Sequence, residues 1–547
     1  MAAPLDPSFY YLTNFRTALA WIDARYADLL SAEERQFIDA FHGLVLPAQA
    51  LLVRLLMRKG PHFRASKLSY AEIGAIAEAA APLLALGWLR DDQPLEFAEL
   101  FALLRKDELI AGFRDALPSP ALKKAELFEA LAALHEQAQP FAAWCPALDE
   151  PLYSLSVGGL CDRLRLLFFG NLHQDWSEFV LADLGIFRYE QVPFSADARG
   201  FRSRADVEAY LHLWQCREQF ALGLPVADVL ELLADFSSDN PYLQSRHAKL
   251  LFQLAQQLER EGDEPAALAL YRQTPYAGSR QRQIRVLERL GGFTEAHALA
   301  CAAAAAPESD AEAQLVERAL VRLRRQLGEP TPRRPRQAAA ARLDLSLPRP
   351  PVSVEFAVQA HLHDDAAPVH YVENTLICSL FGLLCWEAIF APLPGALFHP
   401  FHAGPVDLLA PDFHTRRAAL FANCLARLDS DAYAEAIRRT YAEKLGTVSP
   451  FVHWAVLSEE LLEQALHCLP AAHLKAWFQR LLADLKANRA GMPDLIQFYP
   501  AEQRYRMIEV KGPGDRLQDN QRRWLAFCAE HGMPVEVCYV QWDDEPA

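Results

Sequence analysis

The sequence lacks any run of the roughly 20 apolar residues that would cross a bilayer. Its opening, MAAPLDPSFYYLTNFRTALAW, lacks the basic and apolar segments of a secretory signal. None of the 10 cysteines falls in a CxxC pair, which argues against a zinc ribbon or an iron–sulfur cluster and favours reduced core thiols. There is also no Walker P-loop, GxSxG or HExxH motif to indicate ATP-driven, serine-hydrolase or zinc-protease chemistry. We therefore predict a cytoplasmic protein of another class.

What is present is a long chain with an ordinary globular composition. Its 547 residues are 52% hydrophobic and 23% charged, which predicts several folded domains. The formal net charge of -16 speaks against a nucleic-acid partner when taken alone, because phosphates attract Lys and Arg. A global sum can hide local basic patches, so the charge does not exclude DNA.

The N-terminal part has two different patterns. Residues 1–55 predict amphipathic helices, and Ser31 followed by Glu34 has capping-box spacing. Residues 56–150 predict a DNA-binding region, because basic residues surround the helix break at Gly60 and Pro61. A solvated helix face is the alternative reading. The candidate DNA contacts at this break are Arg54, Arg58, Lys59, Arg64 and Lys67.

Residues 151–327 predict a helical domain with a degenerate repeat. Two windows each contain a helix, a turn at Gly262 or Gly292, and an Ala-rich helix. Superposing these turns aligns Ala266 with Ala296, where small side chains would let paired helices approach closely. Residues 328–352 are rich in Pro and Arg and predict a linker. Its Arg333, Arg334 and Arg336 are interpreted as parts of a solvated hinge rather than as DNA contacts.

The most informative stretch is GMPDLIQFYPAEQRYRMIEVKGPGD, whose Pro493-Asp494 and Glu509-Val510-Lys511 match the PD-(D/E)xK pattern. Two strand-length runs bounded by turns predict a β-hairpin. Because side chains alternate along a strand, Glu509 and Lys511 share one face and Val510 points into the core. Asp494 can approach that face from the neighbouring strand.

This arrangement predicts metal-assisted phosphodiester hydrolysis, although ordinary surface acids are the competing interpretation. Converging carboxylates repel unless a cation intervenes, and oxygen ligands suit Mg²⁺ or Mn²⁺. A metal there would lower the pKa of a bound water. Lys511 would orient the water and stabilise the transition state, and the Val510 carbonyl could be another ligand.

The segment after Lys511 predicts a phosphate-binding helix start. Asp515 and Gln518 have capping-box spacing, and PVEVCYV follows the helix as a further strand. Helix N-termini attract phosphates, and Arg binds them bidentately. We therefore predict DNA contacts from Arg516, Gln518 and Arg522. Upstream, the apolar run after residue 371 predicts one long helix to about residue 390.

These residues also carry a resemblance to a known family. EVKGPGDRLQDNQRRWL, GMPDL and YVENTLICSLFGLLCWEAIF look like a VRR-NUC nuclease domain. The order of segments is similar to the bacterial Fanconi-associated nucleases: RLLMRKGPHFRASKLSYAEI resembles their SAP-containing region and NLHQDWSEFVLADLGIFRYE their central segment. The resemblance implies a structure-selective DNase that acts on 5′ flaps, has 5′ to 3′ exonuclease activity and serves interstrand crosslink repair.

The resemblance also implies a ligand set for the metal. It comprises Asp494, Glu509, the Val510 carbonyl and Glu373, which we expect at the base of a mostly buried helix where an unpaired carboxylate is costly. No Cys/His cluster replaces the ubiquitin-binding zinc finger of animal relatives, so ubiquitin is not an expected partner. The helix pairs with turns at Gly262 and Gly292 resemble the TPR-like domain of this family, and they are therefore the candidate surface for protein partners.

Together, the sequence predicts a multidomain protein with helical N-terminal, SAP-like and TPR-like domains before a restriction-endonuclease-like α/β domain. The predicted bounds are 1–55, 56–150, 151–327, a linker at 328–352 and a VRR-NUC nuclease domain at 353–547. The predicted partner is branched or flapped DNA near the nucleoid, with no membrane. Two alternatives stay open: a Holliday-junction resolvase and a non-catalytic DNA-repair scaffold.

Overall fold

The computed structural model describes residues 7–116, 122–132, 134–135, 137–176, 188–194, 199–330, 340–349 and 351–543. The chain divides into two compact units. The first comprises residues 1–187 and 199–208, and the second comprises residues 188–198 and 209–547. Within the described ranges, no helix is both long and apolar enough to cross a membrane.

The first unit begins with three helices, α1 (Tyr10–Tyr26), α2 (Ala32–Gly43) and α3 (Leu46–Leu56). The predicted capping box is confirmed, because Ser31 Oγ accepts from the Glu34 amide at 3.2 Å and the Ser31 amide donates to Glu34 Oε2 at 2.9 Å. Glu34 is fully buried and also pairs with Arg163 and Arg204. One carboxylate thus starts a helix and joins distant segments of the unit.

The rest of the first unit combines short strands with short helices. An antiparallel three-stranded sheet has the order β1-β5-β2, and β3 pairs with β4. A separate small core forms around Phe97 and Trp144, and the Trp144 indole donates to the Leu95 carbonyl at 3.1 Å. The elements are β1 (His62–Arg64), α4 (Ile76–Ala85), β2 (Leu89–Arg90), β3 (Pro94–Leu95), α5 (Phe97–Leu103), α6 (Lys106–Gly112), α7 (Lys124–Ala132), β4 (Gln139–Pro140), α8 (Phe141–Trp144), β5 (Leu152–Leu155) and α9 (Gly158–Phe169).

A run of consecutive helices follows at residues 204–327. Consecutive pairs from α12 to α16 pack against one another, as the repeat predicts. The helices are α10 (Arg204–Ala221), α11 (Val226–Leu233), α12 (Pro241–Glu261), α13 (Glu264–Gln273), α14 (Ser279–Arg289), α15 (Phe293–Ala305) and α16 (Asp310–Leu327).

The alignment of the two repeats is one residue away from the prediction. Gly262 and Gly291 both have positive φ, 87° and 77°, and each follows the last turn of a helix. The next amides, of Asp263 and Gly292, donate five residues back to Leu258 and Leu287 at 3.0 and 2.9 Å. The equivalent turns therefore place Ala267, not Ala266, over Ala296. Ala267 and Ala296 are both fully buried.

The second unit ends in a five-stranded mixed sheet of order β6-β10-β9-β8-β7. Strands β7, β8 and β9 are antiparallel, and β10 is parallel to both β9 and β6. The strands are β6 (Ala341–Leu347), β7 (Val369–Tyr371), β8 (Leu495–Tyr499), β9 (Arg504–Lys511) and β10 (Val535–Trp542). The predicted order of hairpin, helix and strand is confirmed by β8, β9, the helix α26 (Asp519–Glu530) and β10.

Helices cover both faces of this sheet. One core contains Ile496, Phe498 and Met507 together with the central helix α18, in which every residue is buried. The other core contains Ile508 and Val510 and is covered by α17. These helices are α17 (Val354–Leu362), α18 (Leu376–Leu384), α19 (Trp386–Ile389), α20 (Phe413–Arg416), α21 (Ala418–Ala426), α22 (Ala432–Lys444), α23 (Glu459–Cys468), α24 (Ala471–Ala483) and α25 (Leu485–Asn488).

The segment between the helical repeat and the nuclease domain is not a continuous linker. The predicted linker contains a strand, because residues 341–347 form the edge strand β6. The arginines Arg333, Arg334 and Arg336 lie outside the described residues, as does the part of the predicted central segment from 177 to 187.

Candidate active site

The candidate site is built on the β8–β9 hairpin. Asp494 lies one residue before β8, and Glu509 and Lys511 lie at the end of β9. Their strand positions put all three side chains on the face that holds Ile496 and Met507, whereas Val510 packs in the opposite core. The Val510 amide donates to Asp494 Oδ2 at 2.8 Å, which holds this carboxylate against β9. The structure therefore brings the three motif residues together as the spacing predicts.

Burial makes the ionised forms of the two carboxylates in this site unfavourable. Burial raises the pKa of Asp494 to about 6. It raises the pKa of Glu509 to about 8, and repulsion by Asp494 adds to that shift. Lys511 Nζ offsets part of the cost, since it donates to Glu509 Oε1 at 2.5 Å and to the Val510 carbonyl at 2.8 Å. The pair is poised to bind a cation or to keep a proton.

Glu373 lies beside this pair, but in a more exposed environment than the sequence predicts. It lies in the turn after β7 that leads into the buried helix α18, which begins only at Leu376. The residue is therefore at the base of a buried helix, as expected, but its carboxylate is exposed and does not carry the expected cost of burial. The Val372 amide donates to the Asp494 carbonyl at 2.9 Å, and the Met492 amide donates to Asn374 Oδ1 at 3.0 Å. These two bonds hold the turn against the segment that enters β8.

Asn374 explains why one continuous helix does not form here. Its φ is 55°, in the left-handed region that Asn tolerates better than most residues. It lies within the turn of residues 373–375 that separates β7 from α18. The long helix predicted from residue 371 is therefore replaced by the end of a strand, a turn, and the separate helices α18 and α19.

Two further residues approach the site without a motif to mark them. Tyr371 Oη donates to Glu373 Oε2 at 2.6 Å, and this bond to a carboxylate raises the pKa of the Tyr371 hydroxyl. Glu355, in the first turn of α17, raises the pKa of Asp494 through charge repulsion. Tyr371 could have been found because it lies two residues before Glu373 in an extended segment. No sequence signal points to Glu355.

The donor set fits a hard divalent metal, although it is incomplete by itself. Glu509 is 1% exposed, and among the described residues nothing hydrogen-bonds its buried Oε2 atom. A cation would satisfy this oxygen and neutralise the repulsion with Asp494. Within the described residues, however, no three His, Cys, Asp or Glu side chains converge closely enough to hold a metal alone. Main-chain, water or substrate oxygens would have to complete the coordination.

The basic residues predicted in the first unit fall into two groups. Arg54 pairs with Glu72 at 2.6 Å and lies over the Tyr11 ring. The buried Arg64 pairs with Glu108 and Glu150 at 2.7 and 2.6 Å. Both guanidinium groups therefore make internal structural bonds. The side chains of the other three candidates are exposed, and they are Arg58, Lys59 and Lys67. Of these, Arg58 also donates to Tyr70 Oη at 3.0 Å.

The segment after Lys511 also differs from the prediction. Asp515 does not start the helix; its Oδ2 atom accepts from the Gly512 amide at 3.0 Å and closes a turn. Helix α26 starts at Asp519, and Gln518 is its N-cap, with the Gln518 amide donating to Gln521 Oε1 at 2.8 Å. Arg516, Gln518 and Arg522 are all exposed.

A mixed sheet with the motif acids on one hairpin defines a restriction-endonuclease-like nuclease domain. A VRR-NUC domain model matches residues 429–542, a FAN1 HTH domain model matches residues 9–90, and a Fanconi anemia-associated nuclease SAP domain model matches residues 94–144. The basic segment at 54–67 thus lies inside the HTH match.

Individual relatives give the same assignment. The chain is 59% identical to the Fanconi-associated nuclease 1 homolog of Pseudomonas aeruginosa over 98% of this chain and 97% of the relative. It is 35% identical to human Fanconi-associated nuclease 1 over 31% of this chain and 17% of the relative. A crystal structure of paFAN1 bound to 2nt 5′flap DNA with gap superposes with a TM-score of 0.94 and 58% identity, covering both chains completely. The chain belongs to the Fanconi-associated nuclease 1 family.

Proposed function

We propose that this chain is a Mg²⁺- or Mn²⁺-dependent nuclease that hydrolyses phosphodiesters of branched DNA, with a preference for 5′ flaps. The observation that carries the proposal is the buried pair of Asp494 and Glu509, in which no hydrogen-bond donor of the described residues contacts Glu509 Oε2. The similar crystal structure of paFAN1 holds bound 5′-flap DNA, which supports the choice of substrate. Action on DNA also supports a cytoplasmic location at the nucleoid, and family membership supports a role in crosslink repair.

The residues of the site would have two roles, metal binding and stabilisation of the transition state. Asp494, Glu509 and the Val510 carbonyl would hold the metal, and Glu373 would join them, positioned by the hydrogen bond that its Oε2 atom accepts from Tyr371. A bound metal supplies charge neutralisation at the phosphate and a lowered pKa for the attacking water. Lys511 already donates to Glu509 and Val510, so it is placed to orient a water molecule and to stabilise negative charge on a phosphate oxygen.

The decisive experiment is cleavage of end-labelled 5′-flap, 3′-flap, four-way-junction and plain duplex DNA in Mn²⁺ or Mg²⁺. We expect preferential cutting of the 5′ flap, with at least about a hundredfold loss in Asp494→Ala and complete loss in EDTA. Glu502→Gln is the matched control, because Glu502 is an exposed carboxylate at the other end of the same hairpin. It should cut normally.

Other outcomes separate the rival functions. Symmetric cutting of the four-way junction would favour a Holliday-junction resolvase. Flap binding without metal-dependent cleavage of any substrate would refute the nuclease and leave a DNA-binding scaffold. Equal activity of Asp494→Ala and wild type would assign the chemistry to another site.

A further inference from the structure

An exposed aromatic ring lies at the edge of the carboxylate cluster. Phe356 is in the first turn of α17 and is 49% exposed. Its ring centroid lies 5.3 Å from that of Tyr371, with the two planes inclined by 40°. Tyr371 in turn donates its hydroxyl to Glu373 at 2.6 Å. One ring contact and one hydrogen bond therefore connect Phe356 to the candidate metal ligands.

The fold fixes the direction in which this ring points. Val358 of the same helix is fully buried in the core that contains Val510, and Val354 also packs against that core. Phe356 lies between these two positions, about 200° around the helix from each, and so faces away from the core. Its ring contacts Tyr371, and the exposed 49% of the residue is accessible to a ligand.

The charges around Phe356 and Tyr371 favour a base over a phosphate at this surface. Glu355 and Glu373 lie on either side of the aromatic pair in sequence and both repel negative charge at Asp494. A phosphate would be unfavourable beside Glu355, which is outside the proposed set of metal ligands, whereas a neutral base face would not. Every base can stack on an aromatic ring, and a base at a junction or flap has lost a stacking neighbour that the ring would replace.

We propose that Phe356, supported by Tyr371, stacks on the base that flanks the scissile phosphate. This inference rests on the proposed nuclease function of the same site. It assigns a substrate-positioning task to a helix that carries no part of the PD-(D/E)xK motif. The contact would hold the backbone of the unpaired strand so that its phosphate lies over Asp494 and Glu509.

The test combines removal of the ring with removal of the base. Single-turnover cleavage of a 5′ flap is measured with an abasic nucleotide placed, in turn, at each position within three of the cut. At the stacked position, the abasic substrate should slow wild type by about tenfold to a hundredfold. Phe356→Ala should be slowed equally on intact DNA, and combining the two changes should add little. Phe356→Tyr should retain most of the rate, and Phe356→Leu should not.

Two controls isolate the ring from general damage. Val352→Ala removes a 54% exposed aliphatic side chain four residues earlier and should leave the rate and its dependence on the base unchanged. The Mn²⁺ affinity of Phe356→Ala, measured by calorimetry without DNA, should equal that of wild type. A weaker Mn²⁺ affinity would show that the ring acts through Tyr371 and would overturn the stacking role.

A spectroscopic readout is independent of cleavage. 2-Aminopurine at the stacked position should be quenched when full-length wild type binds the flap in Ca²⁺, and the quenching should be lost in Phe356→Ala. If the rate losses caused by Phe356→Ala and by the abasic nucleotide multiply at every position tested, the proposal is overturned. Full activity of Phe356→Leu would overturn it as well. Failure of the nuclease itself would be recognised separately, because wild type would then cut no substrate at all.

Discussion

The buried carboxylate of Glu509 makes the stability of the metal-free protein depend on pH. Burial, with repulsion by Asp494, raises the pKa of Glu509 from 4.5 to about 8 on folding. Between these values the folded state binds more protons, so stability is expected to fall as the pH rises. Added Mn²⁺ should restore stability most strongly at the upper end of this range.

Glu509→Gln should therefore stabilise the metal-free protein at pH 8 while abolishing cleavage. We expect a gain of about 1 to 3 kcal/mol, because a neutral amide replaces a buried carboxylate beside Asp494. Urea unfolding at pH 5, 6, 7 and 8 measures this gain, with Glu502→Gln as the exposed control. A wild-type stability that rises from pH 5 to pH 8 would contradict the predicted burial of charge.

Tyr371 offers a test of how Glu373 is positioned. Its hydroxyl is the donor that holds Glu373 Oε2 in the metal-free arrangement. Partners of ligating groups commonly contribute tenfold to hundredfold in metal affinity, so Tyr371→Phe should weaken Mn²⁺ binding by about tenfold. Calorimetry measures the affinity, and cleavage at saturating Mn²⁺ should recover most of the wild-type rate. Because the variant keeps the ring, an unchanged affinity would show that the hydroxyl has no positioning role.

Among the secondary-structure elements, the hairpin was the easiest to predict and the turn before α18 the hardest. Period-two alternation correctly predicted that Val510 faces the core and that Asp494, Glu509 and Lys511 share a face. The sequence does not reveal the left-handed conformation of Asn374. The apolar run after Asn374 has a helical pattern, and residues 371–375 can be read as the start of the same helix. Glu373 was therefore found as a neighbour of the site but in the wrong environment.

Strand β6 was missed even though its sequence alternates. In ARLDLSL, Leu343, Leu345 and Leu347 recur at every second position, which is the strand period. The surrounding Pro and Arg residues made the whole segment resemble a linker. Its partner β10 lies almost 200 residues later in the chain, and pairing of this kind is not visible in a local window.

The helical repeat shows how a single local ambiguity shifts an alignment. Either Gly291 or Gly292 could have taken the left-handed turn position, and the structure assigns it to Gly291. Ala267→Leu should then destabilise the second unit by about 1 to 3 kcal/mol through overpacking, because Ala267 is fully buried. Ala266→Leu should cost much less, since Ala266 is partly exposed. Thermal unfolding measures the stability loss of each variant. Equal losses would favour the alignment of Ala266 with Ala296.

The acidic net charge of the whole chain does not indicate where DNA can bind. The net charge of -16 includes many arginines that are neutralised internally, of which Arg54 and Arg64 are examples in the first unit. Composition could not separate these from exposed cations, because their carboxylate partners are distant in sequence: Glu108 and Glu150 follow Arg64 by many residues. In the described part of the chain, no carboxylate pairs with Arg58, Lys59 or Lys67.

These three exposed side chains should therefore carry much of the electrostatic DNA affinity of the first unit. Each phosphate contact contributes about 0.9 to the slope of log affinity against log salt. Replacing all three with Gln should reduce that slope by about 2 to 3 and weaken flap binding at low salt. Single-turnover cleavage at saturating protein should change little, because the carboxylates belong to the other unit.

A matched triple variant separates local from global charge. Arg342, Arg438 and Arg504 are exposed and paired with Asp344, Glu463 and Glu502, and replacing them with Gln removes the same total charge. If the net charge governs binding, both triple variants will lose affinity equally. If the exposed patch governs it, only the variant at Arg58, Lys59 and Lys67 will lose salt dependence. Fluorescence anisotropy with labelled flap DNA between 50 and 200 mM salt decides between them, and we expect the patch to account for the difference.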